Sequence, residues 1–414
     1  MVLGAVAAIW LSYQFWRLVL SPRLGNGAID LRLRWSEVRW WFAGFEIYGE
    51  AAADAVYPPA SYLMLSPLLG ALSLTAVRWS WGCFTLLTLC ALVVLFVRST
   101  GATSRREQLL LALVMLAAYP VGATVGNGQT GLVVVLCLLA ALPLVAERPR
   151  TLGRTVWLSA LFLIALVKPS ITAYFFWIVA FAAGSLRPSL MICVGYALMT
   201  FGASLFQGRG PIELMRLWLG RGRIGAIYGA RFGEGSIKPA QDTEQALLKI
   251  TNINLHSVLS YFRHVDLIFP ATLWVLGALG LWVWLYRRGP IWILIGVSAL
   301  VARFGMYHGW YDDVILLLPL IALYRIFKGE GSPGPRFRLA AGILLATMSA
   351  SLLAPGGVYS LPYPWNNVSV ILQTVIWLGV LLFLLLSAHA ARPGGRWSLQ
   401  QPPLPTGRRS SRAS

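Results

Sequence analysis

A succession of apolar segments along almost the whole chain limits what it can fold into more than any other feature. A membrane-spanning helix needs about 20 mostly apolar residues. Twelve candidate segments can be drawn in the 414 residues: roughly 3–20, 80–97, 108–125, 130–146, 154–167, 170–184, 189–206, 266–286, 290–306, 312–327, 338–353 and 368–388. The chain is 57% hydrophobic and only 12% charged, whereas soluble domains carry about 25% charged residues. This excludes a disordered, coiled-coil, collagen-like or single soluble globular protein and predicts an all-α polytopic membrane protein.

Two stretches depart from the pattern of simple spans. The stretch 58–76 is apolar, but three prolines interrupt it: Pro58, Pro59 and Pro67. Because proline disrupts a helix interior, we interpret this stretch as an interfacial or re-entrant helix. The segments 154–167 and 170–184 are short and meet at Lys168, so that pair is also a candidate for an incomplete crossing.

Basic residues divide unequally between the two sides of the predicted membrane domain. If the N-terminus is inside and 58–76 does not cross, one side receives 18 basic and three acidic residues, a net charge of +15, and the remainder of the chain carries +4. The positive-inside rule assigns the first side to the cytoplasm. The predicted organisation is one membrane-embedded domain over 1–388, with extracytoplasmic loops 21–79 and 207–265, and a disordered basic cytoplasmic tail over 389–414.

The sequence contains no motif for a soluble cofactor. It has neither a Walker A motif nor a glycine-rich Rossmann turn, and no His, Cys and carboxylate spacing that favours a metal site. The net charge of +19 is explained first by membrane topology, so it does not predict a nucleic-acid partner. We therefore expect no cofactor and no metal, membrane lipids as surroundings, and chemistry on a lipid-borne substrate.

The first predicted outside loop contains an amphipathic segment, residues 30–42, with a carboxylate at its start. Its apolar side chains lie on one stripe, as in a helix at the membrane interface: Leu31, Trp35, Val38, Trp41 and Phe42. Asp30 stands at the start, where aspartate is a favoured N-cap. Asp30 is therefore either only a cap or a functional carboxylate at the membrane surface.

Two further candidates lie at interruptions of the apolar pattern. In the turn 126–129, two glycines allow close backbone approach, while Asn127 and Gln129 supply hydrogen-bonding groups; the alternative is an ordinary tight turn. Lys168 lies between two apolar segments, where an ionisable residue is costly and is a functional candidate. The alternative for Lys168 is that its side chain snorkels to the interface.

Charged and polar residues also gather in the later predicted outside segments. The loop 207–265 carries eight cations that favour an anionic lipid or a phosphate, among them three candidate ligands: Arg209, Arg221 and Arg223. The alternative is a solvated loop, since long loops translocate regardless of charge. In the polar segment 307–313, candidates for binding substrate hydroxyls are His308, Tyr311 and Asp312, with Arg303 one turn before them. An ordinary interface pair is the alternative there.

A series of short motifs occurs in a fixed order between about residues 10 and 330. They are Asp30, Gly44-Phe45-Glu46-Ile47-Tyr48, Tyr57-Pro58-Pro59 with an apolar run and Pro67, Gly128-Gln129, Gly153, Lys168-Pro169, and Tyr311-Asp312 before Leu316-Leu317-Leu318-Pro319. In this order they resemble glycosyltransferase family 87, which includes mycobacterial polyprenol-phosphate-mannose-dependent mannosyltransferases. The run after Asp30, and Thr130 where valine is common, depart from that family's pattern and leave the sugar and the acceptor open.

The resemblance implies a GT-C glycosyltransferase fold with about twelve transmembrane helices and a metal-independent site on the extracytoplasmic side. The family's catalytic acid falls on Asp30, and its histidine falls on His308. Tyr57 joins the candidates for binding the polyprenyl-phosphate sugar or the lipid or glycan acceptor. A bacterial inner-membrane hexosyltransferase, with mannose as the first candidate sugar, is the function implied. The alternatives are a flippase for lipid-linked sugars and a ligase that uses polyprenyl-diphosphate oligosaccharides.

Overall fold

The computed structural model describes residues 1–21, 27–49, 55–147, 151–232, 253–262, 264–305, 309–332 and 334–391. Over these ranges the chain is helical and contains no β-strand, apart from one isolated bridge between Ala118 and Leu353. The expectation of an all-α protein is therefore confirmed for this part of the chain. The last helix continues to Ala390, and most of the predicted tail lies outside the described residues.

Eighteen α-helices are described, together with short 3-10 and π segments. In chain order they are α1 Val2–Val19, α2 Ile29–Phe42, α3 Pro59–Leu69, α4 Leu74–Thr100, α5 Arg105–Leu116, α6 Tyr119–Asn127, α7 Gly131–Ala141, α8 Leu152–Ala165, α9 Pro169–Thr172, α10 Arg187–Ser204, α11 Pro211–Phe232, α12 Leu255–Tyr261, α13 Ile268–Tyr286, α14 Ile291–Gly305, α15 Leu317–Phe327, α16 Pro335–Ser351, α17 Gly357–Ser360 and α18 Trp365–Ala390.

Four of the described helices, α1, α4, α13 and α18, are long and apolar enough to cross a membrane. Large apolar side chains project outward from them; Leu87 on α4 is 70% exposed and Trp274 on α13 is 78% exposed. In water such surfaces would be costly, whereas lipid tails accept them. The chain is therefore a helical membrane protein, while the expected number of twelve spans remains a prediction.

The two stretches that were expected to depart from simple spans, 58–76 and the segment after Lys168, are not continuous α-helices in the structure. The stretch 58–76 is divided between α3, which ends at Leu69, and the start of α4. At 1.5 Å per residue, the 11 residues of α3 extend only about 16 Å, well short of the hydrocarbon core of about 30 Å. The segment 170–184 is likewise not one α-helix, since α9 is followed by a 3-10 turn and a π segment that ends at Ala182.

The segment 108–125 also differs from the expectation of one helix. It breaks between α5 and α6, where Tyr119 N–H donates to the Leu352 carbonyl at 2.7 Å and Ala354 N–H donates to the Ala117 carbonyl at 2.9 Å. Pro120, at the start of α6, cannot donate the hydrogen bond that a continuous helix would need. Backbone groups of residues 352 and 354, which are distant in sequence, therefore form the hydrogen bonds that the helix lacks at this break.

Two glycines of α6 allow that helix to lie against α1. A Cβ atom on Gly122 would lie 2.1 Å from Trp10 Nε1, and one on Gly126 would lie 1.9 Å from Gln14 Oε1. Small residues four apart permit this kind of close helix approach in membranes. The packing places the turn after α6, residues 127–130, beside the end of α1 and the start of α2.

Candidate functional site

Asp30 lies in the first turn of α2, but it is not the N-cap. The cap position belongs to Ala28, which has a φ of 51°, and the Ala28 N–H donates to the Gly126 carbonyl at 2.9 Å. The expectation that Asp30 caps the helix is therefore wrong, because the helix begins at Ile29 and already includes Asp30. The positive end of the helix dipole still stabilises the ionised Asp30 carboxylate, but a capping role does not explain why aspartate stands at this position.

The Asp30 carboxyl group lies in a charged environment assembled from distant parts of the chain. Its side chain is hydrogen-bonded to Gln129; Arg34 and Lys168 stabilise its ionised form, and Asp312 opposes ionisation. Burial is the largest influence and raises the pKa of Asp30 above its ordinary value despite these cations. A carboxyl group with a raised pKa is a better proton acceptor than an ordinary surface aspartate.

Lys168 lies in the gap between α8 and α9 and points into this cluster. The proline at position 169 disfavours a helical conformation at the preceding residue, and Lys168 has φ −127° and ψ 79°, outside the helical region. Its Nζ lies 2.5 Å from Asp312 Oδ1, 3.3 Å from Gln129 Oε1 and 5.0 Å from the centre of the Tyr311 ring. These contacts hold the ammonium inside the protein, which argues against snorkelling.

The turn that follows α6 presents Gln129 and a tyrosine to the same place. Gln129 Oε1 lies 3.4 Å from the Tyr57 hydroxyl, and that hydroxyl lies 3.1 Å from Thr130 Oγ1. Asn127 is buried and accepts a hydrogen bond from Arg17 Nη2 at 3.3 Å. The two amide side chains of the turn therefore point to different places. Gln129 contacts Asp30 and Lys168, whereas Asn127 is hydrogen-bonded to Arg17 on α1.

Arg34 is a member of the cluster that the sequence analysis did not identify. It is buried on α2; its Nη1 lies 2.7 Å from Glu37 Oε2, and its guanidinium lies 4.6 Å from the centre of the Tyr57 ring. Residues 30, 34 and 37 have the spacing of one helix face, so this spacing is the signal that could have revealed it. The inward face of α2 therefore carries the charged Arg34 and Glu37 beside the buried Leu31, Val38 and Trp41, with Asp30 on the same side in the first turn.

Arg303 belongs to a neighbouring buried cluster rather than to the contacts of Asp30. Its guanidinium is paired with the carboxylate of Asp313, which also accepts a hydrogen bond from the Tyr119 hydroxyl. The ring of Trp377 lies against the same guanidinium, at 5.3 Å. Asp313 follows Asp312 in a 3-10 helix over residues 310–316, so the two clusters share one segment of backbone.

Two described cations of the loop 207–265, Arg209 and Arg221, contact the first loop. Arg209 is paired with Glu46 at 3.0 Å and with Glu213 at 2.7 Å, all three being substantially exposed. Arg221 donates to the Gly49 carbonyl. The side chain of Arg223 and the whole of His308 lie outside the described residues.

An open apolar groove lies beside the Lys168 segment. It has a volume of about 650 Å³, and its lining includes Leu166, Phe176, Ile192, Tyr196, Thr200 and Met215. Leu166 is two residues from Lys168, so a cation and an apolar groove are adjacent along the chain. Among the described residues no group of three His, Cys, Asp or Glu side chains could hold a metal ion.

This arrangement can accept a proton at Asp30 and place positive charge beside it. No family model, no curated protein and no solved structure matches the chain.

Proposed function

We propose that this chain is an integral membrane glycosyltransferase. In this proposal it transfers a hexose, with mannose as the first candidate, from a polyprenyl-phosphate donor to a lipid-linked or envelope glycan acceptor. The fold is a GT-C type with about twelve spans, in a bacterial inner membrane, and the site faces the periplasm. The observation that carries the proposal is the association of Asp30 with Gln129, Lys168 and Asp312, which lie far apart in sequence.

The chemistry of this cluster suits transfer from a sugar that already has a phosphate leaving group. The Asp30 carboxylate takes the proton of the acceptor hydroxyl while the acceptor oxygen bonds to the anomeric carbon of the donor. The bond between that carbon and the phosphate oxygen breaks, and polyprenyl phosphate leaves with the electron pair. Protonation of Asp30 removes one negative charge from the site as the leaving phosphate gains one, which lowers the electrostatic cost of the step.

The surrounding residues supply groups for both substrates. Lys168 and Arg34 are the cations whose charges act on Asp30, and they are our candidates for stabilising the phosphate. Tyr57, Tyr311 and Asp312 offer hydroxyl and carboxylate groups that suit sugar hydroxyls. The apolar groove beside Leu166 suits the lipid part of a donor, because a lipid-linked phosphate needs a cation and an apolar surface next to each other.

The test is transfer of labelled sugar by the purified protein in liposomes. We expect label from polyprenyl-phosphate mannose to appear in a new product when a lipid extract is the acceptor, and Asp30→Asn to remove this activity. Movement of the donor across the bilayer without a product would favour the flippase alternative. Product formed only from a polyprenyl-diphosphate oligosaccharide would favour the ligase alternative.

A further inference from the structure

We infer that Gln129 is a positioning residue for Asp30, and that Lys168, held by Asp312, sets the direction in which the Gln129 amide points. The inference rests on the proposed role of Asp30 as the base. It assigns Gln129 and Asp312 a role in the control of that base.

The orientation of the Gln129 amide follows from the chemistry of its neighbours. An ammonium can only donate hydrogen bonds, so the amide atom facing Lys168 Nζ at 3.3 Å is the oxygen. The Tyr57 hydroxyl, at 3.4 Å, donates to the same oxygen. The amide nitrogen is therefore the atom left to donate to the Asp30 carboxylate, which accepts a hydrogen bond from the Gln129 side chain.

A reversed amide would be unfavourable on both sides. It would turn the NH₂ group toward the Lys168 ammonium and the oxygen toward the Asp30 carboxylate, so both hydrogen bonds would become repulsive contacts. A buried polar group that loses its partner costs about 1–3 kcal/mol. The Lys168 ammonium, which can only donate, and the Asp30 carboxylate, which can only accept, therefore fix one of the two amide orientations.

The backbone at both ends of this contact is also fixed. The Gln129 N–H donates to the Thr124 carbonyl at 3.0 Å, which holds the turn on α6. Gly128, with a φ of 70°, packs so closely on α2 that an added Cβ would lie 2.6 Å from the Cβ of Leu31. Because Leu31 follows Asp30 directly, this close packing fixes the position of the Gln129 turn relative to the backbone of Asp30.

Asp312 completes the arrangement by forming an ion pair with Lys168. The ammonium lies 2.5 Å from Asp312 Oδ1, and the Gln129 amide contacts both Lys168 and Asp30. A direct ion pair between Lys168 and Asp30 would stabilise the ionised carboxylate and make it a weaker proton acceptor. The pair with Asp312 therefore keeps Asp30 basic. The charged groups that face Asp30 are Arg34 from its own helix, Lys168 from the gap between α8 and α9, and Asp312 from the 3-10 helix.

The test measures the pH dependence of sugar transfer in three variants. Asp312→Asn frees Lys168 to pair with Asp30, so the acidic limb of the kcat/KM profile should move to lower pH by about one unit. Gln129→Glu places a second carboxyl group beside Asp30, so the limb should move to higher pH. Gln129→Met should lower kcat at least about tenfold and leave the KM for the donor within about twofold.

Gln373→Met is the matched control, because Gln373 is as buried as Gln129, at 7% exposure each, and its Nε2 donates to the Ser351 carbonyl on α16. We expect it to leave the profile and kcat unchanged. An Asp30→Asn protein that stays active would overturn the proposed function itself. Suppose instead that Asp30→Asn is inactive. The positioning role is then wrong, while the function stands, if the acidic limbs of the Asp312→Asn and Gln129→Glu profiles do not move in opposite directions. The same holds if Gln129→Met raises only the donor KM.

Discussion

Asp312 and Asp313 are adjacent in sequence, yet each pairs with a different cation. Asp312 Oδ1 lies 2.5 Å from Lys168 Nζ, and Asp313 is paired with Arg303. Successive residues of a 3-10 helix diverge by about 120° around its axis, so one short segment can present carboxylates to two clusters. The buried pair of Asp313 and Arg303 thereby fixes the backbone that presents Asp312 to Lys168.

Removing Arg303 alone should therefore destabilise the protein strongly. Arg303→Met leaves the buried carboxylate of Asp313 without its cation, a change that costs about 3–5 kcal/mol in buried pairs. Arg303→Met combined with Asp313→Asn leaves no unpaired charge, so the double variant should recover most of the lost stability. Thermal unfolding of the purified protein in detergent measures both. Equal losses in the single and double variants would show that the pair does not hold this segment.

The contact between α1 and α6 should tolerate no side chain at Gly122. Gly122→Ala places a methyl group 2.1 Å from the rigid ring of Trp10, and overpacking of this kind costs about 1–3 kcal/mol. Gly277→Ala is the control, since an added Cβ there meets nothing within 4 Å. We expect a lower melting temperature only for Gly122→Ala, and partial recovery when Trp10→Leu is added. Equal melting temperatures of the two glycine variants would contradict the close packing.

The apolar pattern predicted the helices better than it predicted their ends. Segment 108–125 was expected to be one helix because its hydrophobicity is continuous, and Pro120 was the only local sign of a break. The break is stabilised by hydrogen bonds from Tyr119 to the Leu352 carbonyl and from the Ala354 N–H to Ala117, partners that lie more than 200 residues away in sequence. No local pattern contains that information.

The candidate site was predicted residue by residue, but not as an arrangement. Asp30 was identifiable from its place at the start of an amphipathic segment and Gln129 from its place in a glycine-containing turn. Lys168 was identifiable because an ionisable residue between apolar segments is costly. The assignment of those partners depends on tertiary packing. Arg34 was missed because arginine on an amphipathic helix is usually solvated, whereas this one is 7% exposed.

Asp30→Asn should separate the activity of the protein from its stability. Asparagine cannot accept the proton, so transfer should fall at least about 100-fold. Because burial raises the pKa of Asp30, the ionised carboxylate costs the folded state free energy at neutral pH. Asparagine is neutral, so the melting temperature at pH 7 should equal or exceed that of the wild type. The difference should vanish as the pH falls through the raised pKa toward the unfolded value of about 3.9.

Asp266→Asn is the control for this prediction, since Asp266 is exposed; we expect it to change neither transfer nor melting. An Asp30→Asn protein that keeps more than about a tenth of the transfer activity would remove Asp30 from the mechanism. Glu37, Asp54 and Asp312 would then be the next carboxylates to test. Glu37 and Asp312 are buried, and Asp54 lies outside the described residues.

The wild-type protein should lose activity in acid at a higher pH than an ordinary aspartate would allow. The base works only when ionised, and the raised pKa of Asp30 means that it is protonated before the pH reaches about 3.9. The acidic limb of kcat/KM should therefore have its midpoint above that value. Recovery of activity on return to neutral pH distinguishes titration from unfolding. A midpoint at or below about 3.9 would contradict the desolvated environment of Asp30.

The ion pair of Lys168 and Asp312 allows phosphate binding to be separated from folding. Lys168→Met removes a cation that we propose for the donor phosphate, and a lost charge-assisted hydrogen bond of about 1.5–3 kcal/mol corresponds to a tenfold or larger rise in the donor KM. The same change removes the ammonium that is paired with the buried Asp312 carboxylate, which lowers stability.

Lys168→Met combined with Asp312→Asn removes both charges, so the melting temperature should return toward that of the wild type while the donor KM stays high. The exposed pair of Arg209 and Glu46 provides the control, because Arg209→Met with Glu46→Gln removes an ion pair of low energetic value. We expect this second double variant to keep the wild-type melting temperature. If the donor KM recovers together with stability in the Lys168 and Asp312 double variant, then Lys168 supports the fold through Asp312 and does not bind the phosphate.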